Sequence, residues 1–232
     1  NYRHAFAGVH NVDILLGHET YRRNTTSVSG YKTKLFSDTN LELGGAVIDG
    51  QQAGSGRSEY NNEGYFIRAQ YDYDDRVFVS GSFRRDASSR FHKDHRWGNF
   101  WSAGAGWLMS RESWFNVPWM NLLKLKASVG SQGNDGIPDY LYTDTYSISN
   151  NEGQVAVTFR TKGNPDITWE TNLNLNTGVD FELFSHRLVG SVEYFYRKTS
   201  DMLFFFNVPL SLGYSGYYDN IGDMRNSGVE VA

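Results

Sequence analysis

Residues 172–183 alternate without a break. Leu173, Leu175, Thr177, Val179, Phe181 and Leu183 share one parity; Asn172, Asn174, Asn176, Gly178, Asp180 and Glu182 share the other. Successive side chains of a strand project to opposite faces, so the segment predicts a strand with one apolar and one polar face. Five more segments carry the same pattern. Tyr65, Ile67, Ala69, Tyr71 and Tyr73 oppose Arg68, Gln70 and Asp72, and Val77, Val79, Gly81 and Phe83 oppose Arg76, Ser80, Ser82 and Arg84. Leu123, Leu125, Ala127 and Val129 oppose Lys124, Lys126 and Ser128, and Leu188, Val192, Tyr194 and Tyr196 oppose Ser191, Glu193 and Arg197. A weaker segment, 99–109, places Trp101, Ala103, Ala105 and Trp107 on one face. A strand near 2–17 and a last one from about residue 221 bring the expectation to roughly eight.

The connections alternate in length. Short or modest turns are expected at Asp74-Asp75, at 110–121 and at Ser185-His186, and long polar connections at 18–60, 86–96, 131–169 and 200–220. A tilted strand of about 10 residues crosses the hydrocarbon of a bilayer, and membrane barrels put short turns on one side and long loops on the other. The predicted fold is therefore all-β: an antiparallel transmembrane β-barrel with short periplasmic turns and long extracellular loops. Residues 42–48 are the one ambiguous helical stretch.

Composition narrows the classes. Aromatic residues make up 16%, with 15 Tyr and 15 Phe, which suits rings at a membrane–water interface. The net charge of −4, without a basic tract, argues against nucleic acid as a partner. Cysteine is absent, which removes disulfides, thiolate metal sites and thiol catalysis. No apolar run approaches the ~18 residues of a transmembrane helix, and the first residues lack a signal-peptide h-region. The last residues, Ser227 to Ala232, stop inside an alternating strand, so the chain reads as an internal portion of a larger barrel.

An ordered set of local motifs resembles the C-terminal half of the SusC/RagA family of TonB-dependent outer-membrane transporters. It comprises Tyr71-Asp72-Tyr73-Asp74-Asp75-Arg76, then Phe83-Arg84-Arg85-Asp86-Ala87-Ser88-Ser89-Arg90-Phe91, Arg96-Trp97-Gly98 and Gly106-Trp107. Leu123-Lys124-Leu125-Lys126-Ala127-Ser128-Val129-Gly130, Gly133-Asn134 and Gly163-Asn164-Pro165-Asp166-Ile167-Thr168-Trp169-Glu170 follow. Tyr194-Phe195-Tyr196-Arg197-Lys198-Thr199 and Asn226-Ser227-Gly228-Val229-Glu230 complete it. The family pattern has Gly where Ala87 stands and Tyr where Val129 stands.

The resemblance implies that residues 1–232 are part of a barrel of about 22 strands, with the plug domain, TonB box, signal peptide and last strands outside them. It implies import of oligosaccharides or peptides across the outer membrane of a Gram-negative bacterium of the Bacteroidota. A SusD-like surface lipoprotein, the TonB-ExbB-ExbD complex and outer-membrane lipid would be partners. Rival readings are a siderophore or vitamin receptor of the same class, a small self-closed structural or adhesive barrel, and a soluble glycan-binding β-sandwich.

Candidate chemistry is sparse. Arg84, Arg85, Asp86 and Arg90 either guide an anionic substrate or pin a loop; alternation puts Arg84 in the lumen and Arg85 on the lipid side, where it can snorkel. Asp72, Asp74 and Asp75 form an acidic hairpin without the spacing of a calcium loop. His4, His10 and His18 carry no metalloprotease spacing, and Gly213-Tyr214-Ser215-Gly216-Tyr217 lacks the last glycine of a nucleophile elbow. No enzyme activity, metal or cofactor is expected. Substrate contact is expected instead at the loop tyrosines Tyr140, Tyr142 and Tyr146, flat rings with hydrogen-bonding tips among Asp139, Asp144 and Asn150, and at Tyr217 and Tyr218 of a second aromatic loop, 204–218. Trp101, Trp107, Trp114 and Trp119 are expected to form a periplasmic aromatic girdle.

Overall fold

The computed structural model describes residues 1–39 and 42–232. The described residues form thirteen strands and no α-helix: β1 (Tyr2–Phe6), β2 (His10–Leu35), β3 (Ala46–Tyr73), β4 (Val77–Ser88), β5 (Trp97–Leu108), β6 (Met120–Asn134), β7 (Thr145–Asn151), β8 (Gln154–Thr161), β9 (Glu170–Leu183), β10 (Leu188–Ser200), β11 (Leu203–Asn207), β12 (Gly216–Asn220) and β13 (Met224–Val231). Nine build one sheet in the order β1-β2-β3-β4-β5-β6-β9-β10-β13, while β7–β8 and β11–β12 are separate hairpins. β6 pairs directly with β9, and β10 with β13, because each small hairpin lies within the connection between them.

The register shows why alternation specifies this sheet. Tyr71, Val79, Ala105, Ala127, Thr177, Tyr194 and Val229 lie opposite one another across seven strands. So do Tyr73, Val77, Trp107, Leu125, Val179, Val192 and Val231. The intervening row runs Asp72, Phe78, Gly106, Lys126, Gly178, Glu193 and Glu230 on the other face. A slip of one residue in any strand would carry its charged set into the apolar face. Most apolar side chains of these rows remain uncovered, Val229 at 64% exposure, which is what a lipid-facing band requires.

The connections 7–9, 74–76, 109–119 and 184–187 fall at one end of the strands, and 89–96, 135–169 and 201–223, two of them far longer, at the other. The turn at Asp74 and Asp75 has both residues at positive φ, with the Arg76 N–H donating to the Tyr73 carbonyl at 2.9 Å. The result is a tight three-residue loop whose left-handed positions Asp tolerates.

The structure corrects several expectations. The first predicted strand is two, β1 and β2, joined through Ala7 and Gly8 at positive φ. Residues 18–60 are mostly strand, not loop: β2 runs to Leu35 and β3 starts at Ala46. Their outer halves are polar on both faces, so no apolar period marks them. The ambiguous stretch 42–48 is a 3₁₀ turn, Leu43–Gly45, leading into β3. Trp101 does not share the girdle of Trp107: it sits six residues nearer the long-loop end of β5, ~20 Å along the strand. Ala87 lies in β4 opposite Trp97 without positive φ, so no glycine is required there. The sheet is open, with β1 and β13 as its edges, an order that a small self-closed barrel does not allow.

Residues Tyr21–Asn61, the outer halves of β2 and β3, form a compact unit of their own. Within it Arg22 pairs with Glu59 at 2.6 Å, and the Arg23 guanidinium lies over the Tyr60 ring.

Candidate functional site

The polar face of the sheet is a lumen surface held by charge. Lys126 on β6 lies 2.7 Å from Asp180 on β9 and also pairs with Glu193 on β10. Gly178 stands between them in the register, and a Cβ there would meet Glu193 Cγ at 2.7 Å, so glycine is what lets the pair close. Toward the short-turn end a cavity of about 720 Å³ opens, lined by Arg3, Asn11, Asp13, Gln70, Asp72 and Lys124. Arg3 pairs with Asp13, and Asn11 donates to Asp72 at 3.0 Å.

At the long-loop end the connections between β4 and β5, β6 and β9, and β10 and β13 share a small core. Phe91, Phe100, Ile137, Leu141, Ile167 and Trp169 are buried, with Leu203 and Tyr218 packed against them. Trp169 contacts both Phe91 and Phe100, each at 5.3 Å between ring centroids, and its indole N–H donates to the Arg96 carbonyl at 2.9 Å. Phe100 lies across Gly98 and Gly133, where any Cβ would overlap its ring. Those two glycines are thereby explained by close approach, not by turn geometry.

Hydrogen bonds then tie the loops together. The Ser88 hydroxyl donates to Asp135 at 2.7 Å, while Arg90 donates to Asp139 at 3.1 Å and to the Asp135 carbonyl at 2.8 Å. The Asn164 amide donates to the Tyr218 carbonyl and to Asp219, both at 3.0 Å. Asn220 accepts from the Thr168 N–H at 2.8 Å and donates back to the Thr168 carbonyl at 2.9 Å. Glu170 accepts from the Leu203 N–H and from Asn134. The motif residues Ser88, Arg90, Phe91, Asn164, Ile167, Thr168, Trp169 and Glu170 are therefore scaffold for the mouth. Farther out, the Lys198 ammonium, 3.0 Å from Asp223, holds that carboxyl below the usual carboxylate range, with Arg225 adding to the effect.

The basic cluster divides along its parity. Arg84 faces the lumen and pairs with Asp86 at 2.7 Å and Glu19 at 3.1 Å; Arg90 pins the loop; Arg85 points to the lipid side over the Trp97 ring. The acidic hairpin is dispersed, with Asp74 on Arg76 at 2.8 Å and Asp75 on Arg111 at 3.4 Å. His4, His10 and His18 are separate, each stacked or edge-on against its own aromatic neighbours.

The five loop tyrosines have different surroundings. Tyr140, at positive φ, and Tyr146 are exposed, and Tyr146 packs edge-on against Phe159, which in turn meets Tyr214. Tyr142 is half-buried beside His92, and Tyr217 stacks on Phe206. Tyr218 packs against the buried core and Phe205. The loop core itself was missed by sequence reasoning: Phe91, Ile137 and Leu141 follow no period, and only the Trp169 motif marked it.

Comparison with known proteins agrees with this arrangement. The family described as TonB dependent receptor-like, beta-barrel matches residues 1–232. TonB-dependent receptor P39 of Formosa agariphila is 36% identical over 172 residues, 72% of this chain and 16% of that protein. TonB-dependent receptor SusC of Bacteroides thetaiotaomicron is 32% identical over 178 residues, 72% of this chain and 18% of that protein. The RagAB peptide importer in its closed-closed state superposes with a TM-score of 0.87 at 27% identity, covering 99% of this chain and 26% of that one. The chain thus spans about a fifth of the length of these curated relatives. TonB-dependent receptor barrels are outer-membrane proteins of Gram-negative bacteria. With its two-faced sheet and laced outer loops, this chain belongs to the TonB-dependent receptor-like β-barrel family, as a barrel segment of the SusC/RagA type.

Proposed function

We propose that this chain is the barrel portion of an outer-membrane importer of oligosaccharides or peptides in a Bacteroidota bacterium. It works with a SusD-like surface lipoprotein and with TonB-ExbB-ExbD coupling through a plug domain outside these residues. It carries out no catalytic step of its own. The observation that carries the reading is the polar, ion-paired face of the sheet with a packed loop core at its long-loop end and the exposed rings of Tyr140 and Tyr146 in the same connection. The similarity to SusC and to the RagAB peptide importer supports the same class of cargo.

Tyr140, Tyr142, Tyr146, Tyr217 and Tyr218 are the proposed cargo contacts, with the two exposed rings foremost. The test uses the full-length transporter, measuring uptake of labelled oligosaccharides and peptides by cells carrying it. Tyr140→Ala with Tyr146→Ala is expected to lower uptake of one cargo class while surface level and loop proteolysis stay unchanged. Unaltered uptake of both classes would remove these tyrosines from the site. Uptake of ferric complexes alone would replace the importer reading with a siderophore receptor.

A further inference from the structure

The apolar side of β2, β3 and β4 carries a groove of about 620 Å³ near the long-loop end. Leu16, Ile67 and Phe83 form its floor, and His18, Tyr65 and Arg85 its outer edge. The floor is open, with Leu16 at 69% exposure. The register sets Ile67 opposite Phe83 and Tyr65 opposite Arg85, so the surface turns from apolar to polar within one two-residue step. Rings line that boundary: His18 stacks on Tyr65 at 4.4 Å, Tyr65 stacks on Trp97 at 6.2 Å, and the Arg85 guanidinium lies 5.2 Å from the Trp97 centroid.

The charges at this edge are unevenly satisfied. Glu63 accepts from the Tyr65 hydroxyl at 2.7 Å and lies 3.2 Å from His18 Nε2. Lys198, on the same face farther round the sheet, pairs with Asp223. Among the described residues Arg85 is in no ion pair; the Trp97 ring is its contact. A guanidinium on a lipid-facing surface is costly unless it reaches the headgroup layer and an anion there, and aromatic rings mark the depth of that layer. An open apolar groove below such a cation has the form of a site for an acyl chain.

We infer that this groove binds a phosphate-bearing lipid of the surrounding leaflet, its chain along Leu16, Ile67 and Phe83 and its phosphate on Arg85. The inference rests on the reading of the apolar face as a membrane surface. The full-length transporter is reconstituted in nanodiscs of mixed phosphatidylglycerol and phosphatidylcholine, released, and weighed by native mass spectrometry. The wild type is expected to retain phosphatidylglycerol preferentially. Arg85→Gln should lower the retained ratio by about fivefold, the factor for roughly 1 kcal/mol from one basic side chain at an anionic surface. Lys198→Gln should leave the ratio unchanged, and Ile67→Trp, which fills the floor, should reduce retention of both lipids.

An unchanged ratio in Arg85→Gln, or an equal fall in Lys198→Gln, would overturn the site while leaving the membrane barrel intact. Release of the lipid by inorganic phosphate would also overturn it, since a free anion would then be the ligand. Failure of the wild type to enter nanodiscs would overturn the membrane surface and the site together.

Discussion

Trp169 ties the outer loops to the barrel, and its removal should free them without dissolving the sheet. The side chain is buried between Phe91 and Phe100, and its N–H satisfies the Arg96 carbonyl. Truncating a buried Trp to Ala costs about 3–5 kcal/mol. The loss falls on a core of five buried loop residues and Phe100 at the outer end of β5, not on the strand ladders as a whole, so it should appear as local opening. An energy of that size multiplies the open-loop population by between about 10² and 10⁴. Trp169→Phe keeps a ring but leaves the Arg96 carbonyl without its donor, an effect of about 1 kcal/mol. The assay is hydrogen exchange with mass spectrometry on the full-length transporter in detergent, with limited proteolysis of intact cells beside it. Trp169→Ala should lose protection together across 89–96, 135–169 and 201–223, Trp169→Phe much less, while β5, β6 and β9 stay protected. Loss confined to one loop, or spread evenly through the strands, would refute the shared core.

In the lumen, Lys126→Ala leaves Asp180 and Glu193 facing each other. Each of these groups is about a third exposed, so solvent screening limits the cost to about 1 kcal/mol in urea unfolding, and Glu193→Gln in the same chain should restore most of it. At the short-turn end Phe184, Ser185 and His186 all have positive φ, and the Ser185 N–H donates to Asn121 at 2.8 Å. Ser185→Gly should therefore stabilise the barrel by about 1 kcal/mol in the same assay, while Ser185→Val should destabilise it. The Lys198–Asp223 pair gives a pH dependence of known sign. Because the folded carboxyl titrates below its ordinary value, the stabilisation is present above the unfolded carboxylate pKa and lost as pH falls through the folded one. A carbon-13 titration of Asp223 should move up toward the ordinary carboxylate range in Lys198→Met; an unmoved curve would dismiss the pair.

The sheet was legible wherever one face had to be apolar. Leu173 to Leu183 could be read directly because lipid on one side and a wet lumen on the other write opposite demands into alternate residues. The same logic failed for 21–35 and 46–61, where no lipid imposes a period and Thr, Ser and Gly occupy both faces. Arg84 and Arg85 were separable by parity alone, since the alternation persists to the strand end. The loop core was not legible, because Phe91 of one connection and Ile137, Leu141 and Ile167 of another meet only through tertiary folding. Tyr218 illustrates the consequence: nothing in its spacing showed that its ring also packs on that core and against Phe205. The hairpins β7–β8 and β11–β12 were hidden because their strands are short, and in β11 the unbroken apolar run Leu203-Phe204-Phe205-Phe206 shows no alternation.

The central claim is that these strands belong to a larger SusC-type importer. Its most direct test is the intact mass of the native protein extracted from outer membranes, with the composition of what co-purifies. A species several-fold larger than the 232-residue chain, carrying a surface lipoprotein, is the expected result. A folded, detergent-stable species of about this chain's own size, with no lipoprotein attached, would contradict it.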